Sequence, residues 1–235
     1  MGTAFTIARR EFAAYFKSPI AYIVLSAFLA LTGYLFFDRF FMFKNASMDA
    51  FFGNMPFLLL FFAPGIAMRL LAEERGSGTI EMLMTMPVRD WEVVAGKYLA
   101  AVGLLTVGLL LSLPFAFTVA SLGPLDWGPV WGGYLGTLLL GSTYLAVGMF
   151  ASALTRNQIV ALLLGVFICL ALFFFDSFVV LGRPLGPIFQ YASPKFHFQG
   201  IARGVVELRN IVYYVSAIGI ALLATAQVLE SRKWV

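Results

Sequence analysis

The chain of 235 residues holds one cysteine, one histidine and few charges, and each scarcity closes off a class of function. Cys169 stands alone inside an apolar run, so neither a disulfide framework nor a thiolate metal site can form. With His197 as the one histidine, a metal cluster of the usual His/Cys kind cannot be assembled. The phosphate-binding pattern G-x-x-x-x-G-K-[ST] is missing, because Gly96-Lys97 lacks the upstream glycine. No Ser/His/Asp set and no paired carboxylates fall inside the apolar stretches, which disfavours a membrane-embedded enzyme. Charged residues make up 12% of the chain, where soluble domains carry about 25%.

What remains is apolar. Hydrophobic residues are 61% of the sequence and the mean hydropathy is +0.90, more than a water-soluble fold can bury. The chain therefore reads as an all-α polytopic membrane protein, one transmembrane domain over residues 1–235. Six runs reach the ~20 residues a bilayer needs, near 19–37, 55–71, 95–121, 130–154, 158–180 and 211–229. No cleavable signal precedes them, since the first run follows Arg9, Arg10 and Lys17 and is long enough to span. Pro64-Gly65 and Pro114 are candidate kinks.

The net charge of +4 points to a membrane surface rather than to nucleic acid. Of the sixteen Lys and Arg, ten fall on the side that holds both termini, among them Arg69, Arg75, Arg89, Lys97 and Arg156. That bias makes the N- and C-termini cytoplasmic. Trp91, Trp127, Trp131 and Trp234 sit at span ends, as an interfacial belt should. No Asp, Glu, Lys or Arg is confidently central to a span, which weakens an ion-coupled carrier. Gly132, Gly136, Gly148 and Ser152, with Ala161 and Gly165, allow close helix contacts, within the subunit or between two subunits.

Three stretches outside the spans carry information. Residues 1–17 place Phe5, Ala8, Phe12, Tyr15 and Phe16 at helical spacing, an amphipathic segment able to lie in the interface with membrane lipids. The window from Glu73 to Lys97 is a polar island between the second and third spans. Gly76, Ser77 and Gly78 should break the helix after Glu73, Glu74 and Arg75. Thr79 then caps a two-turn helix with Glu81 in its first turn; Ile80, Leu83 and Met84 form its apolar stripe beside Met82, and Pro87 stops it. After Arg89, Asp90 is a second N-cap. Such a methionine-rich helix suits either an adaptable protein contact or rest on lipid headgroups. In the third stretch Ser193-Pro194 starts a helix expected to reach Leu208, with Phe198, Ile201, Ala202, Val205 and Leu208 on its apolar side.

The run ERGSGTIEMLMTMPVRDWEVVAGKYLAA closely resembles the signature of ABC-2 type transporter permeases: an acidic pair, G-T-x-E-x-L-x-x-x-P, a polar turn and G-K. The segment SPKFHFQGIARGVVELRNIVYYVS resembles the gliding-motility and nitrous-oxide-reductase-maturation branches of that family. The resemblance covers essentially the whole chain. It implies an N-terminal interfacial helix, six spans, a cytoplasmic coupling helix and a re-entrant extracytoplasmic pair before span six. It also implies docking of a separate ABC ATPase on Glu73, Glu74, Gly76, Gly78, Thr79, Ile80, Glu81, Met82, Leu83, Met84, Pro87 and Arg89. ATP and Mg would sit on that partner, with no cofactor in this chain. Further expected partners are a second permease subunit, homo- or heterodimeric, and an extracytoplasmic auxiliary protein. His197, Phe198, Arg203 and Gly204 match recurring positions at the outer gate. The location implied is the bacterial inner membrane. The short link between spans one and two departs from the macrolide- and drug-export members, which carry long insertions there. The alternative is a non-transporting anchor that recruits an ATPase for surface motility, secretion or enzyme maturation.

Overall fold

The computed structural model describes residues 2–43, 47–78, 89–177, 182 and 185–231. Among them are ten helices, which we number α1 Thr3–Lys17, α2 Pro19–Phe43, α3 Asp49–Ala67, α4 Arg69–Gly76, α5 Asp90–Leu122, α6 Trp127–Leu154, α7 Gln158–Phe174, α8 Leu185–Ala192, α9 Pro194–Ala202 and α10 Leu208–Ser231. Six helical stretches are long and apolar enough to cross a membrane, with α3 and α4 together forming the second. The protein is thus an all-helical, multi-pass membrane protein.

Several helix starts have a local cause. Asp126 accepts a hydrogen bond from Gly128 N at 3.0 Å to open α6, and Asn157 accepts from Ile159 N at 2.8 Å to open α7. Helix α5 begins differently from expectation. Arg89, not Asp90, is its N-cap, and the Glu92 carboxylate reaches back to Arg89 N at 3.1 Å. A carboxylate three residues into the helix satisfies the orphan donor as well as a polar cap would.

Helix α6 is the axis of the bundle, packed against α3, α5, α7, α9 and α10. In lipid, burying apolar surface against another helix brings no solvent-driven gain, so close packing decides which faces meet. The glycines of α6 supply that closeness. A Cβ on Gly133 would fall 2.5 Å from the Phe52 ring, and one on Gly141 2.6 Å from Leu105. One on Gly148 would fall 2.7 Å from the Ala67 Cβ. The small residues of this span are therefore spent within the subunit. At the end opposite the N-terminus, Phe36, Phe51, Phe115 and the Phe52–Tyr134 pair make an edge-to-face aromatic cluster joining α2, α3, α5 and α6. The outward faces of α7 and α10 stay apolar and uncovered, as Phe167 and Leu223 illustrate at 73% and 68% exposure.

The second span is interrupted at Met68, one turn beyond Pro64-Gly65, and that pair itself lies inside α3. Met68 forms a turn between α3 and α4, and the freed backbone groups find a side-chain partner on α6. The Ser152 hydroxyl donates to Met68 O at 2.9 Å and accepts from Leu71 N at 3.2 Å and Ala72 N at 2.9 Å. One hydroxyl thereby replaces the missing rungs of the helical ladder, which is how a break is tolerated at membrane depth.

Candidate functional site

Two clusters of expected site residues lie at opposite ends of the bundle. At the N-terminal end, α4 runs down to Gly78 and α5 starts after Arg89, so these two residues are the described flanks of the intervening segment. Thr79, Ile80, Glu81, Met82, Leu83, Met84 and Pro87 lie outside the described residues.

Lys97 is the centre of this end. It is 3% exposed, and its Nζ lies 2.6 Å from Glu74 Oε1 and 3.6 Å from Glu11 Oε2. One buried cation thereby ties α4, α5 and α1 together. An ammonium with two carboxylates at this burial is held because removing any partner strands a charge away from water. Gly96 explains how α1 comes so close. A Cβ there would sit 2.8 Å from both Ala4 O and the Ile7 side chain. Gly103 and Phe12 repeat the fit two turns on, with a Cβ 3.0 Å from the ring. The G-K pair thus has two physical tasks, closeness from the glycine and charge from the lysine.

Helix α1 accordingly lies along the first turns of α5. Its packed face is Ile7, Ala8, Glu11 and Phe12, while Phe5 remains outside at 59% exposure. Burial pushes the Tyr15 hydroxyl above its usual range, with the Glu11 carboxylate adding to the shift. The Thr3 hydroxyl bonds the Glu92 carboxylate, which pins the start of α1 to the start of α5.

The other flank is equally fixed. Arg69 makes a two-pronged contact with Glu73, Nε to Oε2 at 2.8 Å and Nη2 to Oε1 at 3.1 Å. Arg75 turns inward and donates to Ala153 O at the end of α6. The helix ends over Gly76–Gly78 as expected, with Gly76 as its last helical residue. The role of Gly76 is contact: a Cβ would fall 2.8 Å from Arg156 O. The terminator is Gly78, whose φ of +75° few other residues adopt. Glu73, Glu74 and Gly76 therefore belong to one clamped helix end, and Arg89 caps the facing one.

At the far end, α8 and α9 form a short helical pair set against α6 and α10. His197 is buried, and its Nε2 donates to Tyr191 O at 3.0 Å while Nδ1 pairs with the Asn210 side-chain amide at 2.8 Å. Its ring stacks on Tyr213 at 4.0 Å between centroids. Tyr213 and Tyr214 extend the network, donating to Ala192 O at 2.6 Å and Pro194 O at 2.7 Å. This histidine joins α8, α9 and α10.

Phe198 is buried against Gly136, and Ile201 O would meet a Gly132 Cβ at 2.4 Å, so α9 is seated directly on α6. The expected run of α9 to Leu208 is corrected. The helix ends at Ala202, Gly204 turns the chain at φ +86°, and Leu208 opens α10. Phe198, Ile201 and Ala202 pack as expected, but Val205 and Leu208 are exposed because they lie beyond that turn. Arg203 is exposed at the end of α9. Asp176 and Lys195 form a 2.9 Å ion pair beside this cluster, a contact between distant stretches that spacing could not suggest.

Against this geometry, the family model described as ABC-2 family transporter protein matches residues 5–231. The chain belongs to the ABC-2 family of transporter proteins. It is therefore a permease component of an ABC transporter, a membrane component of a family whose members are generally not catalytic themselves. No curated protein matches the chain. The match includes the polar segment between α4 and α5, the α1 helix from Phe5 on and all of α10.

Proposed function

We propose that this permease couples ATP hydrolysis on a separate ABC ATPase to export or to work on the far side of the membrane. The observation that carries the reading is the mount of the segment between Gly78 and Arg89. Its two flanking helices are cross-braced by Glu74–Lys97, and Lys97 also reaches Glu11 on α1. A push on that segment is delivered to α1, α4 and α5 as one body, because three helices share one buried charge cluster.

In this reading the ATPase, with its ATP and Mg, docks on the segment through Ile80, Leu83 and Met84, flanked by Glu73, Glu74, Gly76, Gly78 and Arg89. The side is cytoplasmic, as are both termini, and the membrane is a bacterial inner membrane. Support comes from the grouping of Arg69, Arg75, Lys97 and Arg156 at the α1 end, since excess Lys and Arg mark the cytoplasmic face. A second permease subunit completes the pathway, and the α8/α9 pair, pinned by His197, Phe198 and Gly204, closes its outer end.

Docking is tested by co-purification. Leu83→Asp should release the ATPase from detergent-solubilised complexes, whereas Leu163→Asp on the uncovered face of α7 should not. Equal release by both would remove the docking assignment. Substrate-stimulated ATPase activity in liposomes separates a transporter from an anchor that only recruits the ATPase.

A further inference from the structure

A cleft of about 490 Å³ opens beside the Lys97 cluster, between α1, α2, the α3/α4 break and α5. Its volume lies in the range of small-ligand sites. The mouth is of mixed charge, with Glu11, Glu73 and Glu74 set against Arg69 and the buried Lys97. Its inner wall is apolar, formed by Ile20, Val24, Ile66 and Leu104. Val24, Ile66 and Leu104 also line a second, narrower apolar cavity bounded by Phe28, Leu59 and Phe62, so the greasy wall continues into the bundle. The space owes much to Gly65, which lines the cleft and whose Cβ would meet nothing within 4 Å.

We propose that this cleft seats a zwitterionic, amine-headed phospholipid, with the headgroup in the charged mouth and one acyl chain entering the apolar seam. Charge complementarity selects the headgroup. A phosphate finds Arg69, which is part-exposed beside Glu73, with the buried Lys97 behind it adding positive field, and a primary ammonium finds carboxylates that can accept its N–H bonds. A choline group offers no N–H donor and prefers a cage of aromatic faces; among the described lining residues Tyr15 is the one aromatic ring. An anionic lipid is disfavoured because, among the described lining residues, three carboxylates outnumber two cations. The tail is placed by the apolar wall, which no soluble zwitterion would use. The seat shares Glu73 and Glu74 with the proposed docking flank, but its lipid preference is read without the ATPase and whichever side is cytoplasmic.

The test is native mass spectrometry of the full-length protein, stripped of lipid in mild detergent. It is then titrated with phosphatidylethanolamine, phosphatidylcholine and phosphatidylglycerol of matched chains. Phosphatidylethanolamine adducts should persist at about tenfold lower lipid concentration than the other two. Gly65→Leu, which fills the cleft, should erase that preference. Gly219→Leu on α10, where a Cβ also meets nothing within 4 Å, should keep it. Glu73→Gln should narrow the gap between ethanolamine and choline heads, and because its side chain is 47% exposed it decides the matter should Gly65→Leu fail to fold. Equal binding of the three lipids, or a preference that survives both Gly65→Leu and Glu73→Gln, overturns the proposal. Displacement by soluble phosphoethanolamine overturns it in favour of a free zwitterion.

Discussion

Replacing Lys97 with methionine keeps the length and apolar stem of the side chain and deletes its charge. At 2.6 Å and 3.6 Å from two carboxylate oxygens, the ammonium has a Coulomb attraction on the order of 6 and 5 kcal/mol at an effective dielectric of about 20. Desolvation offsets much of this, so the pair itself contributes little net stability. Its removal is a different matter. Glu74 and Glu11 would be left about a fifth exposed, at 21% and 22%, beside a methionine. Breaking a fully buried pair costs about 3–5 kcal/mol. Partial access of water to the carboxylates lowers that to about 2–4 kcal/mol here.

For a chain of this size that is a fall of roughly 5–12 °C in thermal midpoint. Size-exclusion chromatography of detergent-solubilised protein after graded heating reads it directly. Glu74→Gln alone should cost less, because Lys97 keeps Glu11. The double variant Lys97→Met/Glu74→Gln should recover part of the loss, with a coupling energy of about 1–3 kcal/mol. Additive single effects to within about 0.5 kcal/mol would show that the cluster is not a coupled unit and would remove the basis for three helices moving as one body.

Ser152→Ala deletes the hydroxyl that closes the α3/α4 break and should cost about 1–3 kcal/mol, read as a lowered thermal midpoint, because three backbone groups lose their partner. Gly96→Val should separate α1 from α5, since the added carbon meets Ala4 O at 2.8 Å; faster proteolysis within residues 3–17 would report it. Gly204→Ala should destabilise the outer end by about 1–3 kcal/mol, from its φ of +86° and a 3.1 Å approach to Pro129 N. Unchanged melting of that variant would mean the turn relaxes freely.

Much of the fold was legible before any coordinates. Composition and run length gave the class and the six spans, because a bilayer imposes one length and one polarity on whatever crosses it. Most expected spans fell short of the helices that carry them, while the fifth, expected to reach 180, ends as α-helix at Phe174. Polar residues such as Asp49, Glu73 and Glu92 extend the spans as helix, since a helix need not end where lipid does. Glycine roles were harder to read. Gly76 and Gly96 both serve close contact, and sequence spacing cannot tell a contact glycine from a breaking one when its partner lies on another helix.

By itself, then, the sequence determined that this chain is a six-span helical membrane protein with a polar island, and it placed that island within a family signature. Tertiary structure alone decided that Lys97 is a buried hub rather than one more surface cation. It also decided that His197 is a fastener between three helices and that Ser152 completes a broken one. The reason is the range of the forces involved. Hydrophobic run length and helix capping act within a few residues of chain. The Glu11–Lys97, Arg75–Ala153 and His197–Asn210 contacts join stretches that meet only after the helices pack.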